Sequence, residues 1–318
     1  MSPVASGSLA GVVACSQAMR ELVPLVLRLA ETRSPVLLEG ESGTGKDLVA
    51  HWLHYGGPRR EAPFIKVHCP SIPAELLESE LFGHERGAFT DARQAKAGKI
   101  ELAAAGTLYF DQVQDLAPAL QAKLLRVVEE RRFERVGGTR TIDVDVRFVA
   151  SSNVDLGAAV RAGRFREDLF HRLNVMPLRL PPLRERREDV LPLAEAFLER
   201  EREAGTSRAG RFSEEAADLL RGYSWPGNAR ELRSVVERAC LAAGTAEEIA
   251  PAALPAQVLE QAHALWAGRD RRPTLRDVEL AYVRYVLDTV GGSQTRAAAV
   301  LGISRKALWE KRRRHGLG

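Results

Sequence analysis

The chain has 318 residues, 45% of them hydrophobic and 28% charged, which is ordinary globular composition. Three scattered cysteines, Cys15, Cys69 and Cys240, argue against a disulfide framework or a paired-cysteine zinc site. Net charge is +4, but Arg269 to Gly318 hold 12 basic against 5 acidic residues, so the body before them is close to neutral. Such a tail is either a nucleic-acid module or a solvated basic helix. No apolar run reaches the roughly 20 residues of a membrane helix. No charged leader precedes the apolar N-terminal positions, so a cytoplasmic protein without a membrane partner is expected.

Strand and helix patterns alternate through residues 1–182. Ser34 to Leu38, Ala62 to Val67, Gly106 to Phe110 and Val144 to Ala150 read as strands, and Ala117 to Glu130 as a helix. The alternation predicts an α/β fold, its mostly parallel sheet covered on both faces. After Pro181-Pro182 the strand signal stops. Arg187 to Ala204, Ser213 to Gly222 and Asn228 to Ala243 read as helices, with Ser213 as an N-cap, so 183–243 reads as a helical subdomain. Residues 244–273, rich in Ala, Pro and charge, read as a linker with a short helix at Ala256 to Trp266. Residues 274–318 read as a small all-helical module.

Gly40 to Lys46 spells GESGTGK between a strand and a helix. Glycines let backbone N–H groups turn inward and form an anion nest, and the helix N-terminus adds partial positive charge. Lys46 supplies a compact cation for the β- and γ-phosphates. Asp47 stands where Ser or Thr usually reaches Mg2+, so the metal must lean on water and another carboxylate. Asp111, at the end of GTLYF, fits that role beside the phosphate loop; alone, such a residue is more often a turn cap.

Read together, the motifs resemble the bacterial enhancer-binding proteins, the NtrC-like activators of sigma-54 RNA polymerase. The likeness runs from about Leu9 to Gly318. It rests on GESGTGKD at Gly40, SELFGHERGAFTDA at Ser79, GTLYFDQ at Gly106 and VGGTR at Val136. It continues through VRFVASSN at Val146, FREDLFHRLNV at Phe165, LPPLRERREDV at Leu180 and WPGNARELRSVVER at Trp225. The resemblance implies an AAA+ P-loop domain with a parallel sheet and a helical lid, followed by a small all-α helix-turn-helix domain. It implies ATP and Mg2+ as cofactors, and a homo-oligomer from dimer to hexamer that forms a ring on sigma-54 RNA polymerase. Gly40, Glu41, Ser42, Gly43, Thr44, Gly45, Lys46 and Asp47 would then hold nucleotide, and Asp111 the metal. Asn153 would be the sensor, Arg166 and Arg172 the fingers reaching a neighbour's γ-phosphate, and Arg230 the second sensor. Gly87, Ala88, Phe89, Thr90, Asp91 and Ala92 match the loop that touches sigma-54. Phe89 there is either an exposed anchor or a ring folded back on its own domain. Trp225 and Pro226 read as structural.

Three positions depart from that family pattern. Gln112 replaces the glutamate that orients and polarises the attacking water, and an amide cannot accept its proton. ATP binding with slow or negligible hydrolysis follows. His68 stands in place of an asparagine; it either fills the site, pairs with Gln112, or serves as a substitute base. Asp91 replaces a glycine in the contact loop and adds charge at its tip.

In the tail, Thr274 to Val290 carries Leu275, Val278, Tyr282 and Val286 at helical spacing. TRAAAVL at Thr295 is a short helix, Gly302 a turn, and Ser304 the cap of the basic helix Arg305 to His315. This is a helix-turn-helix pattern, similar to the Fis-type DNA-binding end of the same family. Ser304, Arg305 and Lys306 would read base edges, and Lys311, Arg312, Arg313 and Arg314 would touch phosphate. Leu301, Ile303 and Leu308 are expected in the core; Trp309 faces either core or DNA backbone. The chain thus reads as an ATP-binding, DNA-binding regulator at enhancer-like sites. The alternative is a degenerate member acting by DNA occupancy or inside a mixed ring. No receiver or sensor precedes the AAA+ region, so control by a partner in trans, or a fragment of a longer chain, is expected.

Overall fold

A computed structural model describes residues 13–90, 92–264, 283, 286–287 and 294–314. The chain divides into two compact units, Met1–Pro255 and Ala256–Gly318. Among the described residues no helix is long and apolar enough to cross a membrane.

The first unit begins with α1 (Gln17–Ala30), β1 (Val36–Glu39), α2 (Lys46–Tyr55) and β2 (Phe64–His68). It continues through α3 (Ala74–Phe82), β3 (Gly83–His84), β4 (Lys96–Ala97), α4 (Lys99–Leu102) and β5 (Thr107–Asp111). Next come α5 (Pro118–Glu130), β6 (Arg132–Glu134), β7 (Thr141–Asp143), β8 (Arg147–Ser152), α6 (Leu156–Arg161), α7 (Glu167–Leu173) and β9 (Met176–Arg179). The main sheet has five parallel strands in the order β2-β5-β8-β1-β9.

Period-two alternation sends the apolar side chains of each strand to both faces. Leu37, Leu108, Phe110 and Phe148 bury on one face with Leu81, Leu124 and Leu169 from α3, α5 and α7. Val36, Leu38, Tyr109 and Val149 bury on the other with Val26 and Leu53 from α1 and α2. The expected doubly covered parallel sheet is therefore present. Because β1 lies between β8 and β9, the loops after β1 and β8 border one crevice at the carboxyl ends of the strands, the usual ligand position in such sheets.

One buried cation ties this layer together. The Arg147 guanidinium donates to the carbonyls of Leu29 at 2.6 Å, Ala30 at 3.0 Å and Leu53 at 2.7 Å. It thereby caps the C-terminal ends of α1 and α2 at once. Burial, with help from the Arg59 charge, pushes its pKa down to about 10. Arg147→Ala is expected to strip these carbonyls of their shared donor, with Leu29 O keeping Thr32, and to lower unfolding free energy by about 3 kcal/mol in a denaturant titration.

The helical part holds α8 (Val190–Glu203), β10 (Arg211–Phe212), α9 (Glu214–Gly222), α10 (Asn228–Ala243) and β11 (Glu248–Ile249). Ser213 caps α9 by accepting from Ala216 N at 3.2 Å. Three expectations need correction. Strands do not stop at Pro182, because β10 and β11 pair in parallel, Arg211 with Glu248 and Phe212 with Ile249. A two-residue strand is too short to leave an alternation signal, and β11 falls inside the stretch read as linker. The helix read from Arg187 instead opens as a 3-10 turn at Arg187–Asp189. Asp189 in that turn accepts from Cys15 N, Ser16 N and Ser16 Oγ at 2.7 Å each. The fourth main-sheet strand also starts late, at Arg147 rather than Val144.

In the second unit, α11 spans Ala256–Ala264, and two further helices span Gln294–Val300 and Arg305–Arg314. Val283, Val286, Ala297, Ala298 and Leu308 form its small core, with Leu301 and Ile303 partly buried against it. Gly302 takes a left-handed φ of +65° at the turn between the last two helices. Ser304 Oγ accepts from Ala307 N at 3.1 Å and caps the final helix.

Candidate nucleotide site

The β1–α2 loop is shaped by its glycines. Gly40, Gly43 and Gly45 have φ of +154°, +79° and +107°. A Cβ on Gly43 would meet Gly227 O at 2.3 Å, so this position has no room for a side chain. A Cβ on Gly45 would meet nothing within 4 Å, so only its backbone angle calls for glycine. Lys46, at the first turn of α2, is buried and turns into the loop. Its Nζ donates to Gly40 O at 2.5 Å and Glu41 O at 2.9 Å. Burial lowers its pKa, and the charges of Asp111 and Asp47 oppose that.

Opposite this cradle stands the acid that ends β5. Asp111 Oδ1 accepts from Ser151 Oγ at 2.8 Å, and Oδ2 from His68 Nδ1 at 2.9 Å. Lys66 Nζ lies 3.2 Å from the same Oδ2. Burial alone would raise the Asp111 carboxyl, but these hydrogen bonds and the Lys66 charge outweigh it and hold it below the ordinary carboxylate range. Of the three sequence alternatives for His68 (filling its site, pairing with Gln112, or serving as a substitute base), the pairing is replaced by one with Asp111. Parallel register sets His68 beside Asp111. Gln112 has already left the strand at φ +62°.

Gln112 and Asn153 come together at the ends of β5 and β8. Asn153 Nδ2 donates to Gln112 Oε1 at 3.2 Å, and Gln112 N donates to Ser151 Oγ at 3.1 Å. Gln114 Nε2 donates to Asn153 Oδ1 at 2.8 Å. The helical part grips the loop from the other side. Arg230 NH1 donates to Ser42 Oγ at 2.7 Å. Arg184 forks onto Glu41 at 2.7 and 2.5 Å. Asn228 Nδ2 donates to Ser42 O at 3.0 Å, Ala229 N to Gly43 O at 3.0 Å, and Arg186 NH2 to Thr44 O at 2.7 Å. Arg184, Arg186, Asn228, Ser151 and Lys66 escaped the sequence reading. LPPLRER and WPGNARE contain the first three, but nothing in either motif says that they converge on Gly40 to Lys46.

The Sigma-54 interaction domain family matches residues 12–179, more than half of the chain. The AAA+ ATPase lid domain follows at 184–268, and the bacterial regulatory protein, Fis family, at 274–315. Regulatory protein AtoC of Escherichia coli K12 is 44% identical over 309 residues, covering 95% of this chain and 67% of that protein. Transcriptional regulatory protein ZraR of the same strain is 43% identical over 310 residues, covering 98% and 70%. The chain belongs to the sigma-54-dependent transcriptional activators. Among solved structures, NtrX from Brucella abortus in complex with ATP aligns with a TM-score of 0.73 at 35% identity, covering 96% of this chain and 69% of that one. NtrX in complex with ADP aligns equally well, at 36% identity.

In this activator the stretch matching the contact loop is closed on itself. Gly87 takes φ +84°, its N–H donates to Ala92 O at 2.8 Å, and Ala92 N donates to Phe89 O at 3.0 Å. Phe89 satisfies both sequence alternatives in part. It is 41% exposed, while its ring stands edge-on to His84 with centroids 4.9 Å apart. Ala88 and Thr90 complete the described loop; Asp91 lies outside the described residues. Arg166 and Arg172 meet acids near them rather than the cradle: Arg166 pairs with Asp168 at 2.7 Å and Arg172 with Glu129 at 2.6 Å. Trp225 is fully buried and donates from Nε1 to Leu220 O at 2.9 Å, in keeping with a structural role.

Ser304, Arg305 and Lys306 are exposed at the start of the last helix. Lys311 is half-buried, and the side chains of Arg312, Arg313 and Arg314 lie outside the described set. Trp309 is 53% exposed. Most of Thr274 to Val290 also lies outside the described residues.

Proposed function

We propose that the chain binds ATP with Mg2+ in the Gly40–Asp47 cradle and DNA through the helix Arg305–Arg314. It acts in the cytoplasm as a homo-oligomeric ring on sigma-54 RNA polymerase, with hydrolysis slowed by Gln112. The observation that carries the reading is Lys46, buried within a glycine loop and acted on by the charge of Asp111, the acid that ends β5. The NtrX complexes with ADP and ATP support it.

The residues present suit the nucleotide. The cradle offers backbone N–H groups, a helix N-terminus and one desolvated ammonium, a match for a polyphosphate. The metal would rest on Asp111, with Asp47 nearby. Among the described residues no group of three or more His, Cys, Asp or Glu stands ready for an ion. That suits Mg2+, which typically takes one or two carboxylates and completes its shell with phosphate oxygens and water. When bound it would neutralise phosphate charge. Lys46 would hold the β- and γ-phosphates and Arg230 would read the γ-phosphate from the helical part. Gln112 and Asn153 would hold the attacking water by hydrogen bonds, but neither takes its proton. Arg166 and Arg172 would serve a neighbouring subunit, since guanidinium groups spread phosphoryl charge well.

The second reading is a non-hydrolysing member that acts by DNA occupancy or lends Arg166 and Arg172 to an active partner in a mixed ring. The amide at position 112 favours it. Open-complex formation by sigma-54 polymerase on a supercoiled template tests both, with Gln112→Glu beside the unaltered chain. ATP-dependent promoter melting by the variant supports action on polymerase. Turnover without melting overturns it and points to the loop at 87–92.

A further inference from the structure

Lys66 belongs to none of the nucleotide-binding motifs, yet it stands at the centre of the acids beside the cradle. It lies on β2, an edge strand, in register with Tyr109 on β5. Its Nζ is 2.7 Å from Asp47 Oδ1 and 3.2 Å from Asp111 Oδ2. It also sits 5.5 Å from the centroid of the Tyr109 ring. Tyr109 OH donates to Asp47 Oδ1 at 2.9 Å, so the tyrosine steers the same carboxylate. Asp47 comes from the first turn of α2 and Asp111 from the end of β5; two acids from separate elements share one ammonium.

The Lys66 and Asp47 side chains are 35% and 49% exposed. Ion pairs at that exposure contribute little to folding. Their larger effect is local charge. Two carboxylates beside Lys46 leave the site with a net negative charge, and Lys66 cancels it without any metal. A divalent ion approaching Asp111 must share that oxygen with the ammonium or displace it.

We propose that Lys66 is a tethered counter-ion for the Asp47–Asp111 pair, which weakens divalent binding there and lowers the dependence of nucleotide affinity on Mg2+. The inference rests on Asp111 as the metal-side carboxylate. Lys66 acts through the acids and is a positioning residue.

The test is Mn2+ binding to the full chain, read by electron paramagnetic resonance with and without ATP. ATP affinity is measured in parallel across a Mg2+ series. Lys66→Met is expected to tighten Mn2+ binding by about tenfold or more, because a unit charge within a few ångströms of the ion is removed. It should also make ATP affinity fall more steeply as Mg2+ is withdrawn. Lys66→Arg, which keeps the charge, should stay near the unaltered chain. Equal or weaker Mn2+ binding by Lys66→Met overturns the inference and leaves the metal site standing. Absence of bound Mn2+ in every protein, even with ATP, overturns the metal site and the inference together.

Discussion

Gln112→Glu is expected to raise steady-state phosphate release by about 10²–10⁴-fold, equivalent to about 3–5 kcal/mol of barrier. The backbone already positions the residue. Its N–H is held by Ser151 Oγ, the hydroxyl that also donates to Asp111. Its φ of +62° aims the side chain off the end of β5 towards Asn153. A carboxylate of the same length accepts the Asn153 hydrogen bond as the amide oxygen does. The substitution therefore changes little except the ability to take a proton from water. Rapid turnover by the unaltered chain would disprove the defect. No gain in the variant, with ATP still bound, would show that the missing base is not what limits the rate.

Lys46→Ala should weaken ATP binding by about 30-fold to several thousand-fold, or about 2–5 kcal/mol, by calorimetry with ATP and Mg2+. The lysine is the cation buried within the loop, and its two carbonyl partners belong to Gly40 and Glu41 themselves. Nucleotide phosphates would replace those carbonyls with full negative charges. Removing the ammonium also leaves Asp47 and Asp111 less compensated, which repels the polyphosphate further. An alanine variant that binds ATP like the unaltered chain would empty the nucleotide reading of content.

The parallel sheet and the phosphate loop were legible because both are written locally. Apolar strands followed by helices, and glycines at fixed spacing before Lys46, need no knowledge of distant residues. What stayed hidden depends on convergence. Glu41 is read as one loop position among eight, while its partners Arg184 and Asn228 lie more than a hundred residues away. Lys66 looks like an exposed strand lysine until register sets it beside Tyr109. The pairing of His68 with Asp111 followed from strand alignment and from the left-handed exit at Gln112, neither of which a motif records. The β10–β11 pair left no trace because two residues carry no period.

Arg166 and Arg172 are both exposed, and each also meets a partner. Each pairs with a carboxylate of its own chain, Arg166 with Asp168 and Arg172 with Glu129. In such solvated pairs the attraction is shallow and easily traded. A polyphosphate arriving on an adjoining copy would present a denser negative charge than either carboxylate and would draw the guanidinium across. If the proposed ring forms, the resting partners would act as holsters, keeping the two arginines charge-balanced until a subunit boundary gave them something better to hold.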